Sequence, residues 1–258
     1  MIYIHNINPV MFSFGVIKIY YYSLAYLFGA IFIPYYIKKN YLHDKKLSDN
    51  FSIYIIFGVV FGGRLGYVLF YDLKYFFLHP LEIIRIWEGG MSFHGGLIGY
   101  TLGTWLFSKK YKRSFLKMME LSSFVVPIGL FIGRMMNFVN GELYGRATNQ
   151  SWGILFPIDE RQVLRHPSQI YEAIGEGVLL FLIMFFIRKI KFKNNGCISV
   201  LFLLFYGIIR FFLEFFREPD VQIGYISNYF TLGQILCVAM IFCGFLGFYW
   251  INRKKYDT

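Results

Sequence analysis

Apolar residues in this chain gather into runs much longer than a half-buried soluble helix presents, and short polar stretches separate the runs. Seven of them approach the ~20 residues that an α-helix needs to cross a bilayer core. They cover residues 19–37, 51–71, 89–107, 121–140, 170–187, 197–216 and 226–251. The alternating ~10-residue segments that mark a membrane β-barrel are absent. The pattern predicts an all-α, polytopic membrane helical bundle of about seven transmembrane helices, forming a single integral-membrane domain over 1–258. The sizeable polar segments are 1–16, 72–88 and 141–166. The last carries Trp152-Gly-Ile-Leu-Phe-Pro157, read as a short extended piece between turns, and is large enough to form a small cap over one mouth of the bundle.

Composition agrees with a lipid solvent: 57% of residues are hydrophobic and 16% charged, with 31 Phe and 21 Tyr. The net charge of +11 raises the question of nucleic acid, but its distribution answers otherwise. Lys38, Lys39, Lys45 and Lys46 follow the first run. Lys109, Lys110, Lys112, Arg113 and Lys117 follow the third. Arg188, Lys189, Lys191 and Lys193 follow the fifth, and Arg253, Lys254 and Lys255 the seventh. Sixteen of the 26 basic residues thus occupy alternate loops, which makes those loops cytoplasmic. The N-terminus is then outside, the C-terminus cytoplasmic and segment 141–166 external. Residues 1–16 lack a basic n-region and no small-residue cleavage site follows the first run, so that run is expected to remain in the protein. Cys197, Cys237 and Cys243 read as buried small hydrophobes, with no metal pair and no disulfide implied.

This topology assigns a depth to each polar residue inside a run. Arg64, Arg134 and Arg210 each lie 13 residues into an inward-starting span, about 20 Å from the inner boundary at ~1.5 Å per residue. His94 is near the outer start of the third span, and Glu172 and Glu176 are in the outer half of the fifth. Polar groups from five spans therefore converge on the outer leaflet, where ionisable residues are rare and point to function. Tyr206, Arg210, Glu214 and Arg217 form a helical stripe at i, i+4, i+8 and i+11, and Gln169, Glu172 and Glu176 share another face. Arg210 and Glu214 are expected to pair, either locking helices together or meeting substrate. Arg134 has no carboxylate at i±3 or i±4, which leaves its charge for another helix or an anionic ligand. Guanidinium matches phosphate oxygens two at a time, so an outer-leaflet pocket of Arg and Asn reads as a phospholipid headgroup site. His94, between Gly90 and Gly95, is either a hydrogen-bonded interior residue or a base working near neutral pH.

Six blocks of the chain resemble one family. They are Tyr22 after the N-terminal segment, Gly62-Gly-Arg-Leu-Gly-Tyr67, Gly89-Gly-Met-Ser-Phe-His-Gly-Gly-Leu-Ile-Gly99, Gly133-Arg-Met-Met-Asn-Phe-Val-Asn-Gly-Glu-Leu-Tyr-Gly145, Arg165-His-Pro-Ser-Gln-Ile-Tyr-Glu172 and Arg210-Phe-Phe-Leu-Glu-Phe-Phe-Arg-Glu-Pro-Asp220. In order and content they are similar to prolipoprotein diacylglyceryl transferases. The resemblance implies a seven-span enzyme of the bacterial inner membrane that needs no metal or organic cofactor. Its substrates would be phosphatidylglycerol, drawn from membrane lipid, and prolipoprotein signal peptides with a lipobox cysteine. It implies that Arg134 contacts the headgroup, that His94 activates the thiol, and that Tyr22, Asn137, Glu142, Gly145, Arg210 and Glu214 also serve activity. Tyr206 joins the lipid-binding set as part of the stripe through Arg210.

Met136, Ser23 and Glu120 depart from the family pattern, where small residues, Gly and Asp are usual. Segment 146–164 is also short, which implies a reduced cap. A transporter for an anionic solute is the alternative from another class. It would use the same outward-facing arginines, but there is no inverted repeat and the inner half of the bundle is apolar. No nucleic-acid partner is expected.

Overall fold

The computed structural model describes residues 3–14, 17–21, 31–32, 35–42, 44–70, 73–86, 90–219, 224–226 and 230–253, without the side chains of 14–20, 40, 41, 93 and 94. The described residues are mainly helical and fall into two compact units, Ala30–Leu121, and Met1–Gly29 with Ser122–Thr258.

The unit Ala30–Leu121 is built on α1 (Lys45–Phe70) and α3 (Phe93–Lys110), with a short α2 (Leu73–Leu78) and a 3₁₀ turn (Pro80–Ile84) between them; α4 (Phe115–Ser123) runs across its boundary. Gly58, Gly62 and Gly66 recur every fourth residue on α1 and face Gly95, Gly99 and Gly103 of α3. A methyl group on Gly62 would lie 2.7 Å from the Gly99 Cα. The two backbones are therefore in direct contact, the arrangement small residues give helices in lipid. Below the glycines, Phe51 and Phe107 pack at 4.7 Å between ring centroids in a core with Ile37, Leu47, Ile55, Met118 and Leu121. Ser92 caps α3 by accepting from the Gly95 N–H at 3.2 Å. On α1, Phe57, Phe61, Leu65 and Leu69 form an exposed stripe every fourth residue, a surface suited to acyl chains.

In the other unit, α5 (Val126–Asn140), α6 (Ser168–Lys189), α7 (Cys197–Leu213) and α8 (Leu232–Arg253) are joined by short strands. Residues Ala173–Leu179 of α6 are wound as a π-helix, which turns by more residues per turn than α and is frequent at functional sites. Leu180, Met184, Ile187 and Tyr206 form the buried core between α6 and α7. Segment 141–166 contributes β4 (Ile154–Leu155) and β5 (Leu164–Arg165), antiparallel to each other, and β1 (Tyr3–Ile4) adds in parallel to β4. The extended piece expected at 152–157 is thus the middle strand of a three-stranded sheet. Hairpins β2–β3 (Val10–Phe14, Ile17–Tyr20) and β6–β7 (Tyr225–Ile226, Phe230–Thr231) complete the strands.

Three predicted runs are corrected. Residues 19 and 20 belong to β3, and most of the rest of the run 19–37 lies outside the described residues. The run 121–140 is broken into α4 and α5, because Pro127 has no N–H for the Ser123 carbonyl one turn back. The run 197–216 stops being helical at Leu213, so Arg217 leaves the stripe and bridges to Gly145 instead. Among the described residues, three helices are long and apolar enough to span a membrane (α1, α6 and α8), and α4 with α5 would make a fourth. The helix α7 is apolar but only 17 residues long.

Candidate active site

Arg134 on α5 and Arg210 on α7 meet over two carboxylates of α6. Arg134 Nη1 lies 2.8 Å from Glu172 Oε2, and its Nε donates to Glu176 Oε2 at 3.2 Å. Arg210 Nη1 takes the other oxygens, Glu176 Oε1 at 2.9 Å and Glu172 Oε1 at 3.3 Å. Its Nη2 donates to Glu214 Oε2 at 2.6 Å, the i,i+4 pair expected from the stripe. Residues four apart share a helix face, so Glu172, at the end of the α-wound turn, and Glu176, in the π-wound segment, both point inward from α6. Both acids are fully buried, whereas the Arg134 side chain keeps 14% of its surface exposed. Among the described residues, Arg134 Nη2 has neither a hydrogen bond nor an ion pair, leaving one charged donor uncommitted.

One turn beyond Arg134, the motif folds back on itself. Helix α5 ends at Gly141 in the left-handed region (φ 68°), where a side chain is strained. Glu142 then accepts from Asn137 Nδ2 at 2.9 Å and Asn140 Nδ2 at 3.1 Å through the same oxygen. The Glu142 carbonyl accepts from Gln169 Nε2 at 2.6 Å, tying the turn to α6. Gly145 is packed so closely that a Cβ would lie 2.7 Å from the His166 carbonyl oxygen. Tyr206 is buried one turn before Arg210, stacked on Phe202 at 5.9 Å.

Segment 141–166 continues beside these residues in the same unit. Arg165 Nε donates to Asp159 Oδ2 at 2.7 Å and Nη2 to Oδ1 at 2.9 Å, a buried two-pronged pair. The hydrogen bonds from Arg165 hold the Asp159 carboxyl below its ordinary range. Burial likewise holds the His166 imidazole below its ordinary range, and its Nδ1 faces the Tyr171 hydroxyl at 3.2 Å. His5 at the N-terminus sits against Phe138 O at 2.7 Å and stacks on Phe156.

The described residues bring together Arg134, Asn137, Glu142, Gly145, Tyr206, Arg210 and Glu214 in one unit. Tyr22 lies outside the described residues. His94 is the second residue of α3, in the unit Ala30–Leu121, and its side chain is not among those described. Arg64, at the same predicted depth, is committed to backbone: it donates to the carbonyls of Glu82 (2.6 Å), Ile83 (2.9 Å) and Gly90 (3.1 Å). The sequence reading named Glu172 and Glu176 as a face but not as the partners of both arginines. Two buried acids four apart were the available signal. It also passed over Arg146, which holds the Arg217 carbonyl at 2.9 Å and the Glu214 carbonyl at 3.4 Å. Among the described residues, no group of three or more His, Cys, Asp or Glu has the arrangement to hold a metal ion.

The family model of prolipoprotein diacylglyceryl transferase matches residues 9–250. Proteins named phosphatidylglycerol–prolipoprotein diacylglyceryl transferase are similar over nearly the whole chain. That of Ehrlichia canis (strain Jake) is 45% identical over 256 residues, 96% of this chain and 97% of its own length. That of Rickettsia akari (strain Hartford) is 46% identical over 246 residues, 93% and 95% of the two chains. The chain belongs to the prolipoprotein diacylglyceryl transferase family. A diacylglyceryl transferase is an enzyme, and the transporter reading receives no support.

Proposed function

We propose that this chain moves the diacylglyceryl group of phosphatidylglycerol to the cysteine thiol of a prolipoprotein lipobox. The thiolate sulfur attacks the glycerol carbon that carries the phosphate, a C–S bond forms, and the C–O bond breaks. The electron pair leaves with glycerol phosphate, and the thiol proton goes to a base. In this reading His94 is the base, since a thiol with a pKa near ~8.5 needs help at neutral pH. Arg134 and Arg210 stabilise charge on the departing phosphate. Asn137, Glu142, Tyr22, Gly145, Tyr206 and Glu214 hold the lipid or the arginines in place. The observation that carries the reading is the Nη2 of Arg134, uncommitted among the described residues, beside a buried network in which two arginines share the carboxylates of Glu172 and Glu176. A buried ion network gives little stability over apolar packing of the same volume, so a network with a spare donor favours a ligand.

The finer topology belongs to the same proposal: seven spans in the bacterial inner membrane, N-terminus outside, C-terminus cytoplasmic, 141–166 as the external cap, and a site open to the outer leaflet. The alternate basic loops support it. The test incubates purified protein with phosphatidylglycerol and a lipobox peptide, its cysteine intact or replaced by serine. Gain of one diacylglyceryl mass by the cysteine peptide alone supports the transfer. No gain with either peptide contradicts it.

A further inference from the structure

The start of α8 holds a hydrogen-bonded ring that the chemistry above leaves unused. The Gln234 N–H donates to Thr231 Oγ1 at 3.2 Å, and the Thr231 N–H donates to Gln234 Oε1 at 3.1 Å. This reciprocal capping box satisfies two donors that a helix start leaves orphaned. It also occupies a lone pair of the Thr231 oxygen and so aims the hydroxyl proton elsewhere. That proton goes to Glu214 Oε1, 3.0 Å away. The other oxygen of the same carboxylate, Oε2, accepts from Arg210 Nη2. Gly233, between the capping residues, lies flat against the carboxylate: a methyl there would come 2.5 Å from Oε1 and 2.8 Å from the carboxyl carbon. Thr231, Gln234 and Glu214 are all buried, so water offers no substitute for a lost bond.

We propose that Thr231 and Gly233 are positioning residues for the transfer reaction, fixing the Glu214 carboxylate and through it the angle at which Arg210 faces the departing phosphate. This rests on the reading of Arg210 as a phosphate contact. A guanidinium on a long, many-rotamer side chain stabilises charge well only when it is held in place in advance. Glu172 and Glu176 hold its Nη1, and Glu214 alone among the described carboxylates holds Nη2. Thr231 and Gly233 set where that third carboxylate stands.

The test measures kcat and KM for phosphatidylglycerol, together with thermal unfolding, in Thr231→Val, Thr231→Ser and Gly233→Ala. Thr231→Val is nearly the same shape but cannot donate, and its kcat is expected to fall roughly tenfold or more, the worth of one hydrogen bond to a charged group. Thr231→Ser keeps the proton and is expected to stay within about twofold of wild type. Gly233→Ala leaves both capping residues in place but drives a methyl against the Glu214 carboxylate, so kcat should drop even at temperatures well below its melting point. In the Gly233→Ala background, Glu214→Asp withdraws the carboxylate by one methylene, so the double variant should lose less than the two single losses combined. KM should move less than twofold throughout. Wild-type kcat in both Thr231→Val and Gly233→Ala would overturn the positioning role, as would equal losses in Thr231→Val and Thr231→Ser that track their melting points. Absence of thioether product from wild-type protein would overturn the transferase reading itself.

Discussion

Arg134 and Arg210 share two carboxylates, yet their bonding differs, and that difference sets what substitution should do. Arg134→Lys retains a charge but loses the fork that spans Glu172 and Glu176, so transfer is expected to fall at least about tenfold. Arg134→Ala should fall by about 10²–10³ if the group stabilises the leaving phosphate. Near-normal rates for either variant in a labelled-lipid assay would remove Arg134 from the chemistry. For His94→Gln, the expected loss is about 10²-fold, and near-normal transfer would end its role as base. At this scale the Arg210–Glu214 pair was legible in the sequence, because both residues share one helix at i,i+4. The partners of Arg134 were not, because they come from α6, and a single chain does not state which helices are neighbours. The π-wound segment that carries Glu176 is likewise not revealed by the apolar pattern.

Elements explain where the sequence pattern held and where it failed. The glycine spacing on α1 and α3 was visible as a motif, and it is the contact that brings their backbones together. Gly62→Leu should force these helices apart and cost at least about 1–3 kcal/mol, read as a lower melting temperature in detergent. Unchanged melting would contradict backbone contact there. Proline broke the run 121–140, and β6–β7 took the start of the run 226–251, since hydrophobicity alone does not distinguish a short strand from helix. In segment 141–166, Asp159 is depressed by Arg165, so the folded state gives up this proton more readily than the unfolded chain. Its contribution is present above the unfolded carboxylate pKa of about 4 and is lost as pH falls through the depressed folded value. The half-buried His166, its imidazole held below its ordinary range, acts in the same direction, weakening the fold as pH drops below about 6.5, where the unfolded imidazole gains its proton. Asp159→Asn should lower stability near neutral pH by about 3–5 kcal/mol and flatten the acid limb of a melting-temperature profile. A profile identical to wild type would refute that pairing.

For the whole molecule, composition identified the solvent, basic-loop asymmetry supports a proposed chain direction, and the family blocks carried the chemistry. The described helices add three clear spans and a broken fourth, while the proposed count of seven rests on the apolar runs and the orientation on charge distribution. Cysteines placed singly at Gln150 and at Asn195 should separate on labelling of intact cells with a membrane-impermeant maleimide: position 150 reacts and position 195 does not. The reverse pattern would invert the proposed site to the cytoplasmic face. The central claim, however, is a balanced group transfer, and one measurement meets it directly. Phosphatidylglycerol labelled separately in its headgroup and its diacylglycerol moiety is incubated with wild-type protein and a cysteine lipobox peptide, and both products are quantified by mass spectrometry. The account predicts thioether-linked diacylglyceryl peptide and free glycerol phosphate in a one-to-one ratio. Release of glycerol phosphate without peptide modification, or of neither product, would contradict it.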